Sequence, residues 1–86
     1  MASSGNQPPV YPMEAVRRRW QGTTVLHVAV RANGTVGDLH VVDSSGYDLL
    51  DQAAMTAVKQ WRFSAGTKDG RALDCEVDQE IRFVLR

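Results

Sequence analysis

The sequence predicts an α+β domain of element order α-β-β-α-β, with a three-stranded antiparallel sheet in the order 2-1-3 and two helices on one face. Three observations predict it. Two β-branched runs flank Asn33-Gly34, a strong short hairpin signal. A helical period follows, in which Leu49, Leu50, Ala53, Ala54, Ala57, Val58 and Trp61 recur at i, i+3 and i+4. The chain closes on an alternation from Cys75 to Leu85, interrupted on the inward row by Gln79.

At 86 residues, one domain is expected, able to fold without metal or disulfide. Ten basic and ten acidic residues cancel, which argues against nucleic acid as the main partner, since that contact runs on a basic surplus. The single cysteine, Cys75, allows no intrachain disulfide. No apolar run approaches the roughly 18 residues of a membrane span, and no signal peptide is visible. "MASSG" reads as a start codon with a cloning scar or a cut linker, so the chain is expected to be a fragment of something longer.

Residues 1–10 form an arm, mobile at first and extended around Pro8 and Pro9; the domain proper is 11–86. Pro12 suits the first turn of a helix, because its missing N–H costs nothing there. Two turns then place Ala15, Val16, Arg19 and Trp20 on an apolar seam, with Gly22 as the stop. The Arg17–Arg19 run reads as a solvated helix face in preference to a phosphate or lipid patch.

A two-residue turn at Asn33-Gly34 pairs Ala32 with Thr35. It sets Val30 opposite Gly37, Val28 opposite Leu39 and Leu26 opposite Val41 on the inner face. The outer face then holds Val25, His27, Ala29 and Arg31 opposite Val42, His40, Asp38 and Val36. His27 and His40 are two imidazoles where a metal site needs three or four ligands. An exposed, near-neutral pair is expected, and no metal.

In the second helix, Asp48 is the expected N-cap and Asp51 completes a weak capping-box analogue. Lys59 and Arg62 suit the C-terminal end, and Trp61 is expected as a core plug in preference to a ligand platform. The stretch 64–73 reads as a loop with two glycines. In the last strand Cys75, Val77, Ile81, Phe83 and Leu85 face inward with Gln79 intruding, a mark of a bulge or of a less covered stretch. Glu76, Asp78, Glu80, Arg82, Val84 and Arg86 face outward. Cys75 reads as a small buried hydrophobe with no histidine placed to activate it.

No nucleophile elbow, phosphate loop or zinc spacing occurs, so no enzyme and no cofactor are expected. The expected object is a binding module with an exposed sheet edge. That edge is guarded by charge but not blocked by proline, so it can accept a strand or pair with its own copy in a homodimer.

A set of short motifs, in order, resembles the C-terminal domain of TonB-type energy transducers of Gram-negative bacteria. They are Tyr11-Pro12, Gly22, Asn33-Gly34-Thr35-Val36, "SSG" at 44–46, "LDQAAMTAVKQWRF" at 50–63 and "IRFVL" at 81–85. The resemblance covers about residues 7–85. It implies a periplasmic domain of a protein anchored in the inner membrane by a segment absent from this chain, working with the ExbB–ExbD motor on the proton gradient. It further implies a grip on the TonB box and plug of an outer-membrane transporter for iron chelates, haem or cobalamin. The grip would be strand addition at Val77, Asp78, Gln79, Glu80, Ile81, Arg82, Phe83, Val84 and Leu85. Asn6, Gln7 and Pro8, with Val10 and Tyr11, would add contacts from the arm. Some relatives carry a basic residue two positions after the Tyr-Pro pair. Glu14 stands there in this chain, which loses that contact or moves it to Arg17 or Arg18. A TolA-like domain and a plain self-associating domain are the competing readings; the "WRF" and "SSG…LD" pattern favours the TonB type.

Overall fold

The computed structural model describes residues 6–85. The "MASSG" segment and Arg86 lie outside the described residues. The elements run α1 (Met13–Arg17), β1 (Gly22–Val30), β2 (Val36–Asp43), α2 (Asp48–Val58), β3 (Gly66–Lys68), β4 (Arg71–Leu73) and β5 (Cys75–Phe83). The main sheet has the order β2-β1-β5, antiparallel throughout, which is the expected 2-1-3 arrangement. Ala15 of α1 and Leu50, Ala54 and Val58 of α2 join Leu26, Val28, Val30, Ile81 and Phe83 in one core. Both helices therefore cover the same sheet face. The other face has no covering layer among the described residues, consistent with a shortest dimension of 16 Å.

β3 and β4 are an addition to the expected order. They pair through Lys68 and Arg71 about an Asp69-Gly70 turn, both at positive φ (53° and 78°). Two successive positive φ values define the hairpin turn that matches strand twist. The stretch expected as plain loop is thus a small separate ribbon.

The β1–β2 register agrees with expectation at its centre, where Leu26 faces Val41, His27 faces His40 and Val28 faces Leu39. It departs at both ends. Val30 faces Val36, not Gly37, and Val25 faces Asp43, not Val42, with a register irregularity at each place. The turn is the cause at the near end. Arg31 N–H donates to Thr35 O at 2.8 Å and Gly34 N–H to Arg31 O at 2.7 Å, with Gly34 at φ +86°. That is a three-residue loop closed by a left-handed glycine, which shifts the ladder by one residue. Gly34 O also accepts the Phe63 N–H at 2.8 Å, tying the hairpin tip to the chain leaving α2.

Helix α1 stops earlier than expected. Trp20 N–H reaches Ala15 O and Arg19 N–H reaches Val16 O, with Arg19 itself at φ +58°. This is the usual left-handed helix stop, built on arginine in place of glycine. Val16 is consequently exposed, while Ala15 is buried and Trp20 half-buried, stacked on Tyr47 with ring centroids 4.6 Å apart. Gly22 opens β1 instead. A Cβ there would stand 2.8 Å from Ser45 O, so the close approach of the two chains requires glycine.

Tyr47, not Asp48, is the N-cap of α2, and it makes no side-chain cap. Asp48 and Asp51 both lie in the first turn, where the helix dipole favours negative charge. Asp51 does more than cap. Its buried carboxylate accepts the Thr24 hydroxyl at 2.7 Å, the Ser45 N–H at 3.0 Å, the Ser45 hydroxyl at 2.8 Å and the Ser44 hydroxyl. Burial pushes this carboxyl's pKa up. The bonds from Ser44, the Ser45 backbone, Thr24 and the Ser45 side chain outweigh that and hold it below its ordinary value. Leu49, expected on the core stripe, is exposed.

Candidate partner-binding surface

β5 pairs with β1 residue for residue, from Gly22 opposite Phe83 to Val30 opposite Cys75, without a register shift. Gln79 therefore marks no bulge. It sits opposite Leu26, half-buried, in the less covered part of the strand. The expected alternation holds: Val77, Gln79, Ile81 and Phe83 turn to the core side, and Asp78, Glu80 and Arg82 are exposed. Cys75 is half-buried, packed against the core margin and not enclosed within it.

Among the described residues β5 has one neighbouring strand, so its outer edge carries unpaired backbone donors and acceptors from Cys75 to Phe83. Val84 and Leu85, expected within the strand, lie beyond its end. Val84 is exposed and Leu85 N–H donates to the Gln21 side chain at 2.9 Å. The strand begins at Cys75, where the alternation was expected to begin, and ends at Phe83, two residues short of the partner-accepting stretch expected over 77–85.

The arm is fastened to the end of α2. The Asn6 side chain donates to Arg62 O at 2.9 Å and accepts the Arg62 N–H at 2.8 Å, and Gln7 O accepts the Trp61 indole N–H at 2.6 Å. Tyr11, at the other end of the arm, donates its hydroxyl to Trp20 O and sets its ring edge-on to Phe83 of β5 at 5.3 Å. Between these anchors Asn6, Gln7, Pro8 and Val10 form one wall of a groove of 520 Å³, and Ala53, Thr56, Ala57, Gln60, Trp61 and Arg62 form the other. Val10 stands 81% exposed at its rim. That volume lies within the ordinary range of ligand clefts. Trp61 is therefore half-buried and lines a groove, where a core plug was expected. The α2 wall was not anticipated. Its signal was the small-residue spacing Ala53-Ala57 beside a tryptophan whose N–H needed a partner.

The candidate residues thus fall into two groups, an arm-and-helix groove and the β5 edge, linked by the Tyr11–Phe83 contact.

Electrostatics add a feature on the open sheet face. His27 Nδ1 lies 2.7 Å from Asp78 Oδ1 and Nε2 lies 2.7 Å from Glu76 Oε1. Only the imidazolium can donate from both nitrogens at once. Hydrogen bonding to Glu76, then to Asp78, holds the histidine pKa above its ordinary 6.5. The near-neutral pair expected with His40 is thus corrected: the rings are 5.3 Å apart, but His27 is committed to carboxylates on its other side. Among the described residues no group of three or more metal-binding side chains forms, and no helix is long and apolar enough to cross a membrane.

A family model described as Gram-negative bacterial TonB protein C-terminal matches residues 7–85. The chain is 44% identical over 80 residues to the protein tonB2 of Pseudomonas aeruginosa, covering 93% of this chain and 30% of that protein. It is 39% identical over 85 residues to the TonB protein of Xanthomonas campestris, covering 99% of this chain and 38% of the other. The chain spans about a third of the length of these relatives. Among solved structures it is similar to the Pseudomonas aeruginosa TonB C-terminal domain, with TM-score 0.79 and 24% identity over 93% of this chain and 81% of that one. It is also similar to the tonb2 protein from Vibrio anguillarum, with TM-score 0.61 and 27% identity over 96% and 88%.

Proposed function

This chain belongs to the family of Gram-negative bacterial TonB C-terminal domains, and from that premise we propose that it is the docking module of a periplasmic energy transducer. It takes up the TonB box of an outer-membrane transporter as a fourth strand on the outer edge of β5. The rest of the transducer would anchor it in the inner membrane and connect it to ExbB–ExbD, coupling the proton gradient to uptake of iron chelates, haem or cobalamin. The observation that carries the reading is the nine-residue β5, regular along its length and unpaired on one side among the described residues. An added strand satisfies these backbone groups, while its alternate side chains meet the row Asp78, Glu80, Arg82 on one face and the Val77, Ile81, Phe83 side on the other. The arm, fixed at Asn6 and Gln7, supports a second contact with the box or plug through Pro8, Val10 and Tyr11.

Proline placed in turn at Gln79 and Glu80 tests the edge. Backbone N–H groups alternate in direction along a strand, so one position points at β1 and its neighbour at the free edge. One variant should lose stability, and the other should stay folded but lose a transporter-box peptide in titration. Retention of the peptide by both folded variants, with loss in Glu80→Ala or Arg82→Ala instead, would move the affinity from the backbone edge to side chains. Sizing of the unliganded chain accompanies the titration. A dimer that the peptide does not dissociate points to self-association as the use of the edge.

A further inference from the structure

We infer that His27 tunes the charge preference of the β5 edge: with its imidazole protonated the edge repels acidic side chains of an added strand less, and with it neutral the edge attracts basic ones more. This rests on the strand-addition reading and names its regulation.

The geometry is a sandwich. Glu76, Asp78 and Glu80 alternate along β5 and project from the open face. On their inner flank stands β1, where His27 lies opposite Asp78 with a carboxylate on each ring nitrogen. On their outer flank comes the added strand, whose side chains on that face would have Cβ atoms about 4.5–5.5 Å away. The two carboxylates therefore answer both to His27 and to the incoming strand. Protonated, the ring offers two N–H donors, holds Glu76 and Asp78 toward β1 and leaves one net negative charge in the trio. Neutral, it keeps one donor, frees one carboxylate and leaves two negative charges, with Glu80 as a third beside them and the Arg82 cation beyond it, opposite Thr23.

The remaining groups around the ring do not replace this role. His40 faces it directly from β2, and Asp38 lies two positions further along that strand. Asp74 bonds the Ala32 N–H at the strand's end, away from the trio. Along β1 the nearest same-face neighbours are Val25 and Ala29, with Arg31 beyond. The bonds from Glu76 and then Asp78 hold the ring's pKa above its ordinary 6.5, so the protonated form persists to higher pH than in a free imidazole.

The test uses one transporter N-terminal peptide in two forms, with Glu or with Lys at the positions on the outward face, titrated at pH 5.5 and 8.5. The Glu form should weaken about three- to tenfold with rising pH and the Lys form should tighten by a similar factor, as expected of one charge at close range in screened solvent. His27→Gln should flatten both profiles, and His40→Gln should leave their opposite slopes in place. If His27→Gln folds poorly, Glu76→Gln with Asp78→Asn leaves β1 untouched, removes the acceptors that raise the ring's pKa and should move the transition of both profiles to lower pH. Binding of either peptide with parallel profiles, or opposite slopes that survive His27→Gln or vanish in His40→Gln, overturns the inference and leaves strand addition standing. No binding at either pH overturns strand addition itself, and this inference with it.

Discussion

Replacing Asp51 tests the internal logic of the domain most directly. Its carboxylate gathers the start of α2, the Ser44-Ser45 turn and the fully buried Thr24 of β1. A hydrogen bond to a charged group contributes about 1.5–3 kcal/mol, and a buried polar group left without a partner costs about 1–3 kcal/mol. The four bonds share one acceptor group, so they do not add. Asp51→Ala should cost about 3–5 kcal/mol, against a stability on the order of 4–13 kcal/mol for a chain of this length. Asp51→Asn keeps an oxygen for Thr24 and Ser45, and Ser44 can rotate to accept from the new amide. Its loss is the charge assistance, about 1–2 kcal/mol. The sign of the pH effect follows from the lowered pKa. The stabilisation is present above the unfolded carboxyl's pKa of about 3.9 and is lost as pH falls through the folded value. The gap between parent and Asp51→Asn should therefore be full at pH 7 and shrink as pH falls below the unfolded carboxyl's pKa of about 3.9. Urea unfolding followed by tryptophan fluorescence at pH 7, 5 and 3 measures it, with equal m-values as the control. A gap that stays constant or widens in acid would refute the argument. So would an Asp51→Ala variant within about 0.5 kcal/mol of the parent, well below the cost of one charged hydrogen bond.

Gly34→Ala should destabilise by about 2–3 kcal/mol, because the residue sits at φ +86° and a Cβ would stand 2.6 Å from the Phe63 carbonyl oxygen; chemical denaturation reads it, and a neutral result would mean the three-residue loop is wrong. Arg19→Gly should stabilise by about 0.5–1 kcal/mol, since glycine takes φ +58° without strain, visible as a higher melting temperature. Trp61→Phe should leave the fold within about 1 kcal/mol while removing the N–H that holds Gln7, so that amide exchange and protease cleavage rise across residues 6–10 and nowhere else.

Periodicity made much of this fold legible. The alternation of Cys75 to Phe83, the helical stripe of Leu50, Ala54 and Val58, and the Asn-Gly punctuation each have one cheap physical solution. Combined with strand pairing, they sufficed for the sheet order. What escaped has a common character: it depends on partners remote in sequence or on a choice between near-equal local conformations. Asn33-Gly34 serves a two-residue or a three-residue loop, and the Gly34–Phe63 bond favours the latter. Asp69-Gly70 carried a hairpin signal, but Thr67-Lys68 and Arg71-Ala72 are too short and polar to read as strands. Asp51 looked like a capping residue because Thr24, its deepest partner, comes 27 positions earlier. His27 was judged against His40 across the hairpin, whereas Glu76 and Asp78 reach it only through the long-range pairing with β5. The arm was legible as stiff, but its attachment to Trp61 and Arg62 was not.

The central strand β1 is made early and its second neighbour β5 comes last. Until β5 joins it, β1 has only the β2 hairpin for company, and two strands alone are marginal in water. Closing the sheet waits for the C-terminal segment to exist and to cross the whole chain, which is the kind of distant pairing that slows folding. In the proposed function, β5 is also the strand that meets the partner. A chain cut before β5 would then lack both the last third of the sheet and the edge proposed to grip a partner. The domain would thus make closure of its sheet and competence to bind the same event.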